Sequence, residues 1–77
     1  MKFVEWLEVQ AKLIGLSPKE IIEKSYMNTN LFLQWKDKGR NPTTGSIILI
    51  TKTISKLRKD ITYRELILDA IKGEAGQ

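Results

Sequence analysis

The side chains equipped for chemistry in this chain are amides and cations rather than nucleophiles. Asn28, Asn30, Gln34 and Asn41 stand close together, interleaved with Thr29, Lys36, Lys38 and Arg40. An amide donates and accepts hydrogen bonds at once, and clustered cations attract anions, so this set suits recognition of a polar, negatively charged surface. Cysteine and histidine are both absent. Their absence removes thiolate nucleophiles, imidazole bases, disulfides and the usual zinc ligands. The nearest carboxylate pair, Glu20 and Glu23, lies one turn apart and reads as a solvated helix face. No enzyme activity, catalytic residue, metal or cofactor is expected.

The net charge of +4 is unevenly distributed. Lys24, Lys36, Lys38, Arg40, Lys52, Lys56, Arg58 and Lys59 face only Asp37, which gives segment 24–59 a charge of +7, against −1 before it and −2 after it. Such an asymmetry points to a polyanion-binding surface, although a basic excess also serves solubility. Glu5 and Glu8 interrupt the apolar N-terminal stretch, so it reads as neither a signal peptide nor a membrane span, and cytoplasmic residence is the default expectation.

Seventy-seven residues, 42% of them hydrophobic, supply one small core, and the domain is expected over 1–72, with a frayed tail over 73–77. In helix 1, Phe3 to Ile14, Val4, Leu7, Ala11 and Ile14 recur at helical spacing, Phe3, Trp6 and Leu13 widen the stripe, and Gly15 is the stop. Trp6 is read as core in preference to a base-stacking platform. Ser17-Pro18-Lys19-Glu20 is a capping-box start for a two-turn helix 2, and Asn28 soon offers the next cap. Helix 3 runs from Thr29 to about Asp37 and is ended by Gly39 and Asn41-Pro42. Phe32 and Trp35 bury together there, which leaves Thr29, Asn30, Leu33, Gln34 and Lys36 on the rest of the wheel.

The following TTGSIILITKTISKL is threonine-rich enough for a buried strand. Ile47, Ile50, Ile54 and Leu57 nevertheless recur at three, four and three, which favours helix 4 from about Thr44 to Arg58, capped by Thr43, Thr44 or Ser46. Thr62-Tyr63-Arg64-Glu65 is a second capping box, opening a helix 5 that Gly73 ends. Leu66, Ile67, Leu68, Ala70 and Ile71 occupy more of that wheel than one core face requires. A homodimer interface through Leu66, Ile67, Leu68 and Ile71 is the first reading, and closure of the monomer core the second.

Leu16-Ser17, Glu20-Ile21, Glu23-Lys24, Met27-Asn28, Phe32, Trp35, Gly39 and Pro42, with Ile47, Ile50 and Ile54 behind them, resemble in order and spacing the phage Cro and lambda-repressor type of helix-turn-helix protein, also called the xenobiotic-response-element family. The likeness extends over roughly Phe3 to Leu68 and implies an all-α, compact five-helix lambda-repressor-like domain with helices 2 and 3 as the helix-turn-helix. Three positions depart from the pattern. Ile22 and Tyr26 stand where the family has a small residue and a turn glycine, Pro18 where a phosphate-touching glutamine is common, and Trp35 to Gly39 is one residue longer than usual.

The resemblance implies a sequence-specific regulator of double-stranded DNA, a phage-type repressor inserting helix 3 in the major groove. It assigns base contacts to Thr29, Asn30, Leu33 and Gln34. Their chemistry agrees, since an amide pairs bidentately with adenine and a leucine packs on a thymine methyl. Phosphate contacts fall to Lys36, Lys38, Arg40 and Asn41, with Lys19 and Asn28 at helix N-termini as secondary candidates. Lys52, Lys56, Arg58 and Lys59 lie farther along and read equally well as solubilising charge. The competing functions are a protein-binding adaptor, using Leu31, Leu33 or helix 5, and an antitoxin that binds both DNA and a protein partner.

Overall fold

The computed structural model describes residues 2–75, and side chains over 3–72. Five α-helices follow one another, α1 Lys2–Ile14, α2 Pro18–Lys24, α3 Asn30–Asp37, α4 Thr44–Leu57 and α5 Tyr63–Ala75, with no strand among the described residues. The all-α expectation therefore holds. Helical spacing decides the threonine-rich segment: Thr51 and Thr53 turn their hydroxyls back to the Ile47 and Leu49 carbonyls at 2.6 and 3.0 Å, which satisfies both within the helix and removes the polar cost of burying Thr51.

Local chemistry starts and stops each element. At α2 the Ser17 hydroxyl accepts from the Glu20 amide at 3.2 Å and the Glu20 carboxylate accepts from the Ser17 amide at 2.9 Å, completing the capping box. Thr43 caps α4 by accepting from the Ser46 amide. At α5 the Thr62 hydroxyl accepts from the Glu65 amide, but the Glu65 carboxylate accepts from the Thr62 hydroxyl instead of reaching back to the backbone. That helix also continues through Gly73 to Ala75, beyond the stop read from the sequence. A glycine inside a helix costs only about 1 kcal/mol relative to alanine, too little to end it alone. The rest of the expected frayed tail, 76–77, lies outside the described residues.

The exits of α1 and α2 share one geometry. Gly15 at φ +72° donates to the Lys12 carbonyl and Leu16 to that of Ala11, a Schellman motif. At α2 the same bonds run from Tyr26 to Glu23 and from Met27 to Ile22, and here the left-handed residue is Tyr26, at φ +60°. The turn thus keeps the conformation that glycine favours and carries a tyrosine in it.

The five helices enclose Phe3, Leu7, Ile21, Ile22, Phe32, Trp35, Ile50, Ile54, Leu66 and Ala70. α5 packs on α4 and α1, α2 on α4 and α1, and α3 on α1 and α2. Phe3 links the aromatic residues, stacked on Trp6 at 5.4 Å and edge-on to Trp35 at 5.9 Å. Trp6 is core, and its indole Nε1 donates to Asp69 of α5 at 2.7 Å. Ile22 is fully buried, so its branched side chain is taken up by the core packing.

Three positions differ from the apolar stripes read in the sequence. Leu13 and Leu57 sit at the C-terminal ends of α1 and α4, where the packing ends, and both are exposed. Leu66 is fully buried in the monomer core and is removed from any dimer surface, because a helix residue that faces α1 and α4 cannot also face a second molecule.

Candidate nucleic-acid interface

Phe32 and Trp35 anchor α3, both buried and three residues apart, and this fixes which side of the helix faces outward. Asn30 and Leu33 are exposed and Gln34 half-exposed, one outward stripe at spacings of three and one. Thr29 is half-buried, in helical conformation at the N-cap position, and its side chain caps nothing. Asn28 caps instead: its Oδ1 accepts from the Asn30 amide at 2.9 Å. The four residues expected to touch bases are thus brought together on one helix, with Thr29 at its edge.

Asp37 stands on the same stripe, three residues beyond Gln34 and four beyond Leu33, and is exposed. The helical spacing of the sequence already carries this position, which the net charge of segment 24–59 does not reveal. A carboxylate there repels phosphate and accepts from cytosine N4.

The exit is set by Gly39 at φ +66°, with the Arg40 amide donating back to the Gln34 carbonyl at 3.1 Å. A glycine takes this conformation without the clash a Cβ brings. Lys38, Arg40 and Asn41 follow in exposed positions, and Pro42 is buried behind them. Lys36 is placed differently. Its ammonium pairs with Glu8 of α1 at 3.3 Å and lies 5.6 Å from the centre of the Phe32 ring, so it leans toward α1 and away from the Asn30–Gln34 stripe. Lys19 is exposed on the first turn of α2, but the capping box already occupies the Ser17 and Glu20 amides, and Asn28 occupies that of Asn30. Three of the backbone amides at these two helix starts are therefore engaged inside the chain.

Arg58, grouped in the sequence with the distal cations, has a structural place. It clamps Asp60 through Nε and Nη2 at 3.2 and 2.7 Å and donates from Nη1 to the buried Gln10 at 2.7 Å. The hydrogen bonds between Arg58 and Asp60 hold the Asp60 carboxyl below its ordinary range and raise the guanidinium above its own. Within α5, Ile67 is half-buried while Leu68 and Ile71 are 56% and 51% exposed. Among the described residues no cluster of carboxylates could hold a metal, and no helix is long and apolar enough to cross a membrane. No protein-family model matches the chain, and no curated protein or solved structure matches it.

Proposed function

We propose that the chain is a sequence-specific double-stranded DNA-binding regulator of the phage-repressor type, with α2 and α3 as its helix-turn-helix and α3 in the major groove. The observation that carries this reading is the outward stripe of Asn30, Leu33 and Gln34 on α3, backed by buried Phe32 and Trp35 and followed by the exposed Lys38, Arg40 and Asn41. An amide on a rigid helix pairs bidentately with adenine, a leucine packs against a thymine methyl, and cations at the helix exit neutralise flanking phosphates. Thr29 contributes at the edge of the stripe. The turn at Tyr26, which takes the left-handed conformation of the turn glycine in the resembling family, supports the helix-turn-helix reading as well.

The regulator acts as a homodimer in this reading. One copy is 33 Å in its longest dimension, enough for one half-site, and two-fold proteins of this kind space their reading helices about 34 Å apart. Leu68 and Ile71, one turn apart and exposed, are the self-complementary contact. Selection of binding sites from random duplex DNA tests the function: enrichment of a two-fold symmetric site is expected. Absence of any enriched sequence would refute it.

A further inference from the structure

A second surface is built from α2, its turn and α4, and no residue of α3 lines it. Leu49, Thr53 and Leu57 recur every four residues along the outside of α4, forming a strip two turns long, about 12 Å at 1.5 Å per residue. The Thr53 hydroxyl is turned inward, donating to the Leu49 carbonyl at 3.0 Å and lying 2.8 Å from the Ser25 hydroxyl, so it offers no free donor to a ligand. Leu49 and Leu57 are exposed, and Tyr26, 97% exposed, stands beside them across an open cleft of roughly 340 Å³. At Leu57 the apolar surface continues to exposed Leu13.

Lys24, Lys52 and Lys56 border this cleft, and among the described residues none of them makes an ion pair. Three of the eight cations of segment 24–59 therefore lie here, as many as Lys36, Lys38 and Arg40 supply on α3 and at its exit. Tyr26 also holds its place against a backbone preference, since the left-handed conformation costs a non-glycine residue roughly 1–2 kcal/mol. A strained, solvent-held aromatic ring beside an apolar strip marks a surface built for contact.

We infer that this cleft binds an amphipathic helix of another polypeptide, with leucine- or phenylalanine-type anchors seated between Tyr26 and the Leu49–Leu57 strip and carboxylates meeting Lys24, Lys52 and Lys56. Charge selects this occupant. A second copy docked by two-fold symmetry would bring the same lysines against each other, and nucleic acid has no apolar ridge to cover three exposed leucines and a tyrosine. A shallow cleft between two elements suits the ridge of a helix, as other helix-in-groove sites do. The inference stands independently of DNA reading by α3.

The test uses the full chain and a display library of peptides about 16 residues long, enough for roughly four helical turns. Enriched peptides are expected to carry net negative charge and apolar residues three and four apart. Their affinity should fall about ten-fold or more for Lys52→Glu/Lys56→Glu and for Leu57→Asp, while thermal unfolding of these surface variants stays unchanged. Replacing the peptide's acids by lysine should restore binding to the charge-reversed chain and abolish it with the native one. Failure to enrich any peptide, enrichment of peptides without acids, or equal binding by native and charge-reversed chains would overturn the inference. So would either of two assignments of the lysines elsewhere. A salt dependence of duplex DNA binding that drops by about two ions in Lys52→Glu/Lys56→Glu would place them on phosphates. Retention on phosphatidylserine vesicles, lost in the same variant, would place them on lipid.

Discussion

Tyr26 and Asp37 are the two residues at which local preference and position disagree most. Tyr26 completes a helix-ending turn at φ +60°, while Gly15 completes the same turn at the end of α1. Replacing it by glycine relieves roughly 1–2 kcal/mol of backbone strain and returns about 0.5–1 kcal/mol of unfolded-chain entropy. Tyr26→Gly is thus expected to stabilise the chain by up to about 1 kcal/mol, seen as a higher denaturant midpoint at unchanged slope. A lower midpoint would mean that the ring packs in the folded chain, contrary to its exposure. Asp37 shares the outward stripe of Asn30, Leu33 and Gln34, so Asp37→Asn is expected to tighten binding to random duplex by removing repulsion from phosphate. Fluorescence anisotropy at low salt measures it, and unchanged affinity would place Asp37 away from DNA.

At the scale of elements, each helix begins or ends where a short side chain or a glycine satisfies its free backbone groups. Ser17→Ala is expected to cost about 1 kcal/mol, since it removes the hydroxyl half of the capping box and leaves the Glu20 amide uncapped on a helix of only two turns. Arg58 and Asp60 hold the end of α4 to the approach of α5, and Gln10 joins them to α1. The Asp60 carboxyl is held below its ordinary range by the Arg58 hydrogen bonds, so its stabilising contribution is fully present above that range and is lost as pH falls through the lowered native value. Urea unfolding at a series of pH values should therefore show native protein and Asp60→Asn converging in acid; a gap that stays constant would contradict it. Caps were legible in the sequence because they depend on residues three apart, and the Phe32/Trp35 anchor because helical spacing puts both on one face. The placement of Lys36 was not, because its partner Glu8 lies on another helix, and neither was the burial of Leu66, which depends on how α4 and α1 converge on α5. The Tyr26–Leu57 cleft likewise joins residues far apart in the chain, and spacing within either helix cannot show it.

The whole molecule carries two cationic regions, one at the exit of α3 and one along α2 and α4, on a core that leaves Leu68 and Ile71 outside. If these two residues join a two-fold dimer, Ile71→Glu should give a folded monomer by sedimentation and weaken DNA binding through loss of the paired half-site. An unchanged mass distribution would remove α5 from the interface. The measurement closest to the central claim compares Gln34→Ala on a selected duplex and on random duplex of equal length. Loss of about 1–3 kcal/mol on the selected site, with random-duplex affinity and its salt dependence retained, is the result expected of a side chain that reads a base edge. Equal losses on both duplexes, or none on either, would contradict the placement of α3 in the major groove.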